Sequence, residues 1–505
     1  MRILLTTLNA KYVHSNLALK YLARVAEKTD LDVDTREFTI NNEMGYIFTE
    51  ILRRHYDMVC FSCYIWNIEK IKELCETLKQ ADPHLVIGLG GPEVSYDAEN
   101  FLKENSWADL ILRGEGETPM EELCRVLESP EKDLSSVRGI SYREGEFIRE
   151  NPDAPLSDMD EIPFPYSEEP AKDKVIYYES SRGCPYRCSY CLSSIEKTIR
   201  PRSLELTLKE LDYFIKRNVK QVKFIDRTFN FSEERAYRIW EYLIDHDNGV
   251  TNFHFEICGD LLTDRQIELL KRARTGLFQF EIGIQSTNPD TLREVNRRPV
   301  VDRLFSNICK VRDLGNIHLH VDLIAGLPFE DYESFGNSFN DVYSLGAENL
   351  QLGFLKVLKG TEIGRSVEAE KIIYRKKAPY EIIGNRYISP EELIRLKMIE
   401  NVLELYDNKG GFEKTIGCLL KETGKSPFDF YEKLAGFFYS EGFQHRSHKK
   451  EDLYRILLKY AESQEREHAG ITMKAKELLC EDLENTMNFD AVKKFHKKGW
   501  EVYGN

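Results

Sequence analysis

The sequence predicts an α/β protein of three domains, at residues 1–126, 174–356 and 357–505, with a linker at 127–173. Three observations support this prediction. The chain has 505 residues, which suggests about three domains of roughly 150 residues each. Two blocks alternate short apolar strands with helical patterns, and the final block shows helical patterns alone. We therefore expect two α/β domains followed by an α-helical one.

The composition is typical of a soluble protein of the cytoplasm. Hydrophobic residues make up 42% of the chain and charged residues 31%, and no apolar run approaches the ~18 residues that a membrane span requires. The first residues, Met1 to Thr7, are typical of a strand and not of a signal peptide. The irregular spacing of the eleven cysteines argues against a disulfide framework and for a reducing compartment. The net charge of −15 argues against a nucleic-acid partner.

The first block predicts a doubly wound parallel sheet, because strand and helix patterns alternate along it. The predicted elements are strands at residues 2–6, 32–38, 58–62, 85–89 and 110–112, and helices at 16–27 and 68–80. Ligands of such sheets bind beyond the carboxyl ends of the strands. The loops that follow the strands are therefore the candidate binding site of this domain.

Two of these loops are rich in glycine, which lets a large ligand approach the backbone. They are the Gly-Gly-Pro-Glu turn at Gly90–Glu93 and the Gly-Glu-Gly-Glu turn at Gly114–Glu117. With the loops at residues 7–12 and 63–67, they make the block resemble the cobalamin-binding domain that precedes many radical S-adenosylmethionine (AdoMet) cores. The resemblance implies cobalamin contacts at these residues: Thr7, Asn9, Tyr64, Gly90, Gly91, Glu115 and Gly116.

No histidine is predicted to bind the cobalt. The D-x-H-x-x-G motif of related cobalamin domains is absent from the loop after the first strand. His84 precedes the fourth strand, at the end of the sheet away from the ligand, and we reject it. His14 lies near the correct loop, but a surface histidine is the favoured interpretation. We therefore expect the lower face of the cobalamin to have no histidine ligand, and we interpret Cys60 and Cys63 as buried core thiols.

The linker is predicted from its proline elements between residues 128 and 173. A small hairpin is expected around residues 139–147, and Ile162–Tyr166 is expected to be extended because residues before proline avoid the helical conformation.

Three cysteines in one loop predict an iron-sulfur cluster. Cys184, Cys188 and Cys191 can bind three irons of a [4Fe-4S] cluster and leave the fourth iron open for a substrate or cosubstrate. A structural zinc site or a ferredoxin would fill every metal position. The alternative, buried structural cysteines, is disfavoured by the flanking Gly183 and Pro185. With Tyr190 before the last cysteine, the C-x-x-x-C-x-x-C pattern resembles the signature of the radical AdoMet superfamily.

That resemblance implies a partial (β/α)6 barrel in the second domain, with its chemistry at the carboxyl ends of the strands. Six strand patterns fit it, at residues 175–179, 221–226, 252–257, 277–283, 318–324 and 349–354.

The same resemblance implies the AdoMet contacts. Gln285 and Asp322 would bind the ribose hydroxyls and Arg297 the carboxylate, with Tyr190 in the cluster loop as a further contact. Asp226 stands where many family members have a Gly-Gly-Glu turn, which is missing here, and it is our substitute. The alternatives are that Gln285 and Asp322 cap strand ends and that Arg297 forms a surface ion pair.

The last domain is predicted to be a small helical bundle, with Ser389 as the N-cap of its first helix. It resembles an uncharacterised extension on some cobalamin-linked radical AdoMet proteins. The predicted helices lie near residues 394–406, 412–422, 428–441, 450–467 and 473–485.

The resemblance implies an enzyme that uses a [4Fe-4S] cluster, AdoMet and cobalamin to methylate an unactivated carbon of an organic substrate, with flavodoxin or ferredoxin as the electron donor. It assigns no catalytic side chain. Two alternatives remain open: a cobalamin-assisted radical cyclisation or rearrangement, and a non-catalytic cobalamin-binding sensor. Methylthiolation of tRNA is disfavoured because the first domain lacks the cysteines for a second cluster.

Overall fold

The computed structural model describes residues 1–166 and 173–500, which form two compact units. Residues 167–172 of the predicted linker and 501–505 of the predicted helical domain lie outside the described residues. The first unit comprises Met1–Phe280, Lys356–Val367 and Tyr374–Glu381, and the second comprises Glu281–Leu355, Glu368–Ile373 and Ile382–Asn505.

The first unit begins with a seven-stranded sheet. Its strands are β1 (Arg2–Asn9), β2 (Asp32–Thr39), β3 (Met58–Ser62), β4 (Val86–Gly90), β5 (Leu110–Leu112), β6 (Ile140–Glu144) and β7 (Phe147–Glu150). Their order is β2-β1-β3-β4-β5-β6-β7. The first five strands pair in parallel, as predicted, and the predicted hairpin, β6 and β7, joins the edge of this sheet in antiparallel pairing.

Both faces of this sheet are buried, which is why its central strands are almost continuously apolar. Leu4, Val59 and Ile87 pack into a cluster on one face, and Ile3 and Met58 into a cluster on the other. The helices of this part are α1 (Leu17–Ala26), α2 (Met44–Leu52), α3 (Ile68–Ala81), α4 (Pro92–Ser95), α5 (Ala98–Glu104) and α6 (Glu117–Glu128). The doubly wound prediction is confirmed, whereas α2, α4, α5 and α6 were not predicted.

A second run of strands and helices follows. Its elements in the first unit are β8 (Ile176–Tyr178), β9 (Ser181–Arg182), β10 (Arg200–Pro201), α7 (Leu204–Lys216), β11 (Gln221–Phe224), α8 (Glu233–Asp245), β12 (Asn252–Ile257) and α9 (Asp264–Leu270). Strands β8, β11 and β12 are parallel neighbours in this order. The chain passes into the second unit within β13 (Phe278–Gln285).

The second unit continues with α10 (Pro289–Glu294), α11 (Val301–Arg312), β14 (His318–Ala325), α12 (Tyr332–Tyr343) and β15 (Asn349–Phe354). Here the strand order is β13-β14-β15, so all six strands predicted for this domain are present. Side chains alternate along β13, where Ile282 and Ile284 are buried between the partly exposed Glu281, Gly283 and Gln285. One face of these strands therefore carries polar groups.

The remaining described chain is mainly helical. After α13 (Glu362–Arg365) and the short strands β16 (Ile373–Tyr374) and β17 (Ile382–Gly384), the helices are α14 (Pro390–Leu403), α15 (Glu413–Thr423), α16 (Pro427–Ser440), α17 (Lys450–Gln464), α18 (Ile471–Thr486) and α19 (Phe489–Lys498). The predicted N-cap is confirmed, because Ser389 Oγ accepts from the Glu392 amide at 3.2 Å and the Glu392 carboxylate accepts from the Ser389 amide at 2.8 Å.

A π-helical turn at Glu404–Asn408 extends α14 and places Asn408 against the edge strand β15. The Leu350 amide donates to Asn408 Oδ1 at 2.9 Å, and Asn408 Nδ2 donates to the Leu350 carbonyl at 3.0 Å. The amide side chain thus satisfies both backbone groups of one edge residue, as a neighbouring strand would. Among the described residues, no helix has both the length and the apolar character needed to cross a membrane.

Candidate active site

The cluster loop, Gly183–Cys191, is held at its base by backbone packing. Residues Arg182 and Arg200 pair in the short antiparallel ladder of β9 and β10. Gly183 has φ +88°, and a Cβ atom at this position would lie 2.0 Å from the carbonyl oxygen of Thr198. Only glycine fits here, because the chain passes too close and the backbone conformation is left-handed.

The three cysteines are close enough to influence one another. Cys184 and Cys188 are buried and Cys191 is half-buried, with the Cys191 amide donating to the Cys188 carbonyl at 3.1 Å. Burial raises the pKa of the Cys184 thiol, and Cys191 and Cys188 act in the same direction, whereas the Thr228 hydroxyl, 3.4 Å from Cys184 Sγ, lowers it. Within residues 1–166 and 173–500, no three His, Cys, Asp or Glu side chains could hold one metal ion together. The donor set fits a cluster, in which each thiolate binds its own iron.

Asp226 fixes the start of this loop. It is fully buried two residues after the end of β11 and accepts three hydrogen bonds, from the Ser180 amide at 2.9 Å, Ser180 Oγ at 2.7 Å and Ser181 Oγ at 2.6 Å. Burial raises the pKa of the Asp226 carboxyl, and these donors oppose the rise. Both carboxylate oxygens are engaged, so in this structure Asp226 orients the chain that leads into the loop.

Arg182, two residues before Cys184, forms ion pairs with three carboxylates. Its guanidinium lies 3.1 Å from Glu115, 2.6 Å from Glu117 and 3.0 Å from Glu179. Glu115 and Glu117 belong to the Gly-Glu-Gly-Glu turn after β5, and Glu115 also pairs with Arg200. The acidic residues of this turn are therefore bound to the base of the cluster loop.

Burial and the neighbouring charges shift the pKa values of two carboxyl groups in this network. Burial raises the pKa of Glu179 to about 7, with Arg182 opposing the rise and Glu117 adding to it. Burial also acts to raise the pKa of Glu115, but the guanidinium groups of Arg182 and Arg200 outweigh it and the pKa is lowered. These partly buried charges are retained because each carboxylate faces a guanidinium.

A cavity of about 400 Å³ lies above this network, within the size range of small-molecule and cofactor pockets. All of its lining residues belong to the first unit, and they come from β1, from the carboxyl ends of β3, β4 and β5, from helices α1 and α6, and from the segments after β8 and β11. The lining includes Leu17, Leu22, Tyr64, Gly90, Gly91, Leu112, Glu115, Gly116, Met120, Glu179, Arg182 and Arg227. Gly91 has φ +102°, and a Cβ there would lie 2.6 Å from the Cys63 carbonyl oxygen, so the turn lies tightly against the strand end.

Five of the seven residues predicted to contact cobalamin line this cavity: Tyr64, Gly90, Gly91, Glu115 and Gly116. The other two have structural partners. Thr7 Oγ1 donates to the Ser62 carbonyl at 2.9 Å, and Asn9 Nδ2 donates to Glu37 at 2.6 Å. His14 Nδ1 lies 2.7 Å from the Tyr177 hydroxyl. Sequence reasoning did not identify four lining residues of this cavity: Glu117, Glu179, Arg182 and Arg227. Of these, Arg182 could have been found from its place directly before Gly183 and the cysteine motif.

In the second unit, Gln285 and Arg297 meet at Gly283. Arg297 Nη2 donates to the Gly283 carbonyl, and Gln285 Nε2 lies 2.1 Å from the position that a Cβ on Gly283 would take. Gln285 has φ +75°, and its Oε1 atom is buried with no hydrogen-bond partner among the described residues. A strained residue with an orphaned acceptor fits a bound ligand that carries hydroxyl groups. Asp322 lies on β14, 3.8 Å from His320 Nε2.

The strained turn after β13 is held by a buried carboxyl group. Glu330 Oε1 accepts from Ser286 Oγ at 2.6 Å and from Ser338 Oγ at 2.9 Å, and the Thr287 amide donates to Ser338 Oγ at 3.0 Å. Burial raises the pKa of Glu330 to about 7, against the effect of the two hydroxyl donors.

Three family models match the chain in succession. The B12 binding domain matches residues 3–124, the radical SAM superfamily (SAM being AdoMet) matches 178–342, and a protein family of unknown function, DUF4080, matches 370–502. The chain carries a B12-binding domain and a radical SAM domain. The glycine turns of the cavity lie in the first match, and the three cysteines, Gln285, Arg297 and Asp322 lie in the second.

The proteins to which the chain is similar include two methyltransferases. A cobalamin-dependent radical SAM methyltransferase, TokK of Streptomyces tokunonensis, is 24% identical over 62% of this chain and 49% of its own length. A 2-(S-pantetheinyl)-carbapenam-3-carboxylate methyltransferase of Streptantibioticus cattleyicolor is 26% identical over 57% of this chain and 45% of its own length. The chain thus spans about half the length of these relatives. The structure of the cobalamin-dependent AdoMet radical enzyme OxsB, with aqua-cobalamin and AdoMet bound, superposes with a TM-score of 0.65, 14% identity and coverage of 99% of this chain and 84% of that one.

These findings confirm the predicted resemblance to cobalamin-linked radical AdoMet proteins and the predicted fold class. The N-terminal domain is a B12-binding α/β domain, the central part is a radical SAM core, and the C-terminal region is helical and corresponds to DUF4080. At 14% identity, the likeness to OxsB shows the fold alone.

Proposed function

We propose that this protein is a cobalamin-dependent radical SAM methyltransferase that methylates an unactivated carbon of an organic substrate. One observation supports it above the others: a single cavity is lined both by the glycine turns of the B12-binding domain and by Arg182, two residues before Cys184. If cobalamin and the cluster served unrelated reactions, there would be no reason for one cavity to be lined by residues next to both cofactors.

The residues divide into three groups by the cofactor they would hold. Cys184, Cys188 and Cys191 hold the [4Fe-4S] cluster. The cavity residues Tyr64, Gly90, Gly91, Glu115 and Gly116 hold cobalamin. Tyr190, Gln285, Arg297 and Asp322 contact AdoMet, while Asp226 acts through Ser180 and Ser181. When bound, the cluster supplies the electron that cleaves AdoMet to an adenosyl radical, and cobalamin supplies the methyl group.

The protein's own contribution is to bind, orient and exclude water. Leu17, Leu22, Leu112 and Met120 give the cavity an apolar wall, which favours a large ring system over solvent. The carboxylates of Glu115, Glu117 and Glu179 all pair with the guanidinium of Arg182, which offsets their negative charge at the wall of the cavity. Gln285 offers its unpartnered oxygen to a ribose hydroxyl.

We further infer a cytoplasmic enzyme that receives single electrons from flavodoxin or ferredoxin. Every cysteine in the described residues is a free thiol, and the proposed cluster requires reduced ligands. The substrate is an organic molecule whose class the proposal leaves open.

The test is anaerobic reconstitution with iron, sulfide, hydroxocobalamin, AdoMet and a reductant. We expect bound cobalamin, S-adenosylhomocysteine from methyl donation by AdoMet, and 5′-deoxyadenosine from reductive cleavage. Cys188→Ala should abolish 5′-deoxyadenosine formation, whereas Cys418→Ala, a half-buried thiol on α15, should not. Cobalamin binding without either AdoMet product would favour the sensor. 5′-Deoxyadenosine without S-adenosylhomocysteine would favour cyclisation or rearrangement.

A further inference from the structure

After β15 the chain returns to the first unit in two stretches, Lys356–Val367 and Tyr374–Glu381. We call these the return segment. Its two stretches are joined to each other, because Lys356 and Glu381 form an antiparallel bridge and the Val357 amide donates to the Tyr380 carbonyl at 3.0 Å. They therefore form one hydrogen-bonded structure.

The first stretch is bonded to the cluster loop. The Ile363 amide donates to the Ser189 carbonyl at 2.9 Å, and Ser189 lies between Cys188 and Tyr190. Both partners are buried, since Ile363 is 2% exposed and Ser189 5%. A backbone hydrogen bond shielded from water restrains the position of the loop.

The second contact is with the Gly-Gly-Pro-Glu turn of the cavity. Tyr380 donates its hydroxyl to Glu93 Oε2 at 2.6 Å, and Lys359 Nζ donates to the Glu93 carbonyl at 3.2 Å. Glu93 and Tyr380 are both buried, and a Cβ atom on Gly360 would lie 2.8 Å from the ring of Tyr96. The Glu93 carboxyl group is buried away from water, so it depends on donors from the protein, and the Tyr380 hydroxyl is such a donor.

Tyr380 is held in an unusual backbone conformation, with φ +57°. A bulky residue adopts a positive φ only where its surroundings compensate. In this structure the compensating contact is the hydrogen bond from the Tyr380 hydroxyl to Glu93. Tyr380 thereby links the Gly-Gly-Pro-Glu turn to the return segment.

We propose that the return segment is a clamp that fixes the Gly-Gly-Pro-Glu turn of the cobalamin cavity against the cluster loop, with Tyr380 and Glu93 as its positioning residues. This inference rests on the proposed function, which gives the two loops their cofactors. Gly91 and Pro92 line the cavity, and Ser189 lies among the cluster ligands. Lys359 and Ile363 belong to one continuous stretch, which bonds both loops, and Tyr380 is hydrogen-bonded to that stretch through Val357. One stretch that bonds both loops ties their positions together more firmly than two unconnected contacts would.

The test uses anaerobically reconstituted full-length protein carrying Tyr380→Phe, which keeps the ring and removes only the hydroxyl. We expect amide hydrogen exchange to quicken roughly ten- to a hundredfold at residues 90–96 and also at 184–191, although Tyr380 does not touch the second loop. Cobalamin should dissociate more readily, as measured by the absorbance that remains after gel filtration. Tyr374→Phe, in the same segment, is the matched control and should match the wild type.

Faster exchange at 90–96 alone, with residues 184–191 unchanged, would overturn the clamp, as would no change at either loop. If Tyr380→Phe does not fold, Lys359→Met removes the other bond to Glu93 and should quicken exchange at both loops by a smaller factor. Failure of the wild-type protein to bind cobalamin or to cleave AdoMet refutes the proposed function and is read separately from the exchange data.

Discussion

Replacing Glu330 by glutamine should remove a pH dependence from the stability of the second unit. Glu330 is 1% exposed, its Oε1 receives two serine hydroxyls, and its Oε2 has no hydrogen-bond partner among the described residues. Burial raises its pKa from 4.5 to about 7. Glutamine has nearly the same shape and can accept the same two hydroxyl bonds, but it cannot ionise.

The size of the expected pH effect follows from the pKa shift of Glu330. A carboxyl whose pKa is 4.5 when unfolded and about 7 when folded differs by 2.5 units, or about 3 kcal/mol at 1.36 kcal/mol per unit. Because the folded pKa is the higher one, the protonated form is favoured in the folded state. This contribution is fully present below about pH 4.5 and is lost as the pH rises through about 7.

The assay is the difference in local opening free energy between the wild type and Glu330→Gln, from hydrogen exchange of peptides within residues 281–290 and 326–340. The buried amide of the variant adds a cost that does not vary with pH. From pH 5 to pH 8.5 the wild type should lose about 2.5 kcal/mol relative to the variant, because part of the contribution is already lost at pH 5. Glu333→Gln, an exposed carboxylate on α12, is the control and should show a constant difference. Parallel pH curves for Glu330→Gln and the wild type would refute the reasoning.

Three further predictions concern the loop, the ion pairs and the helical region. Gly183→Ala places a methyl group 2.0 Å from the Thr198 oxygen and should sharply lower the iron bound per chain, whereas Gly249→Ala, with φ +73° in open space, should not. Arg182→Met leaves three carboxylates without their shared partner and should lower the free energy of unfolding by about 3–5 kcal/mol at pH 8 and by less at pH 5. The measurement is chemical denaturation, and an unchanged denaturation midpoint would contradict this prediction. Ser389→Ala should cost about 1 kcal/mol, read as faster exchange in the first turn of α14, and an equal rate in both proteins would count against the cap.

The cluster loop and the sheet could be predicted because their signals are local. The three cysteines lie within eight residues, and each central strand is an apolar run bounded by glycine or polar residues. Ser389 was predicted as a cap for the same reason, since Pro390 and Glu392 follow it directly. Helix α2 was missed because Tyr46, Phe48 and Thr49 favour strands, and burial of Ile47 and Ile51 decides the outcome.

The remaining features depend on contacts between residues far apart in the chain. Glu117 and Arg182 are 65 residues apart, and Glu93 and Tyr380 are 287 apart. No spacing rule joins such pairs, so the ion-pair network and the return segment could be read only from the structure. Asp226 was predicted as an AdoMet contact because it stands where many family members have a Gly-Gly-Glu turn, and its hydrogen bonds with Ser180 and Ser181 could not be read from that position.

Asn408 has a consequence for how the chain can be divided. Its side chain occupies the backbone groups of Leu350, so the helical region that matches DUF4080 covers the edge strand β15, which follows the radical SAM match in the chain. A protein truncated before residue 390 would leave this edge bare, and a bare strand recruits strands from other molecules. Versions lacking the tail should therefore associate into larger assemblies, and the boundary between the two family matches is a poor place to cut.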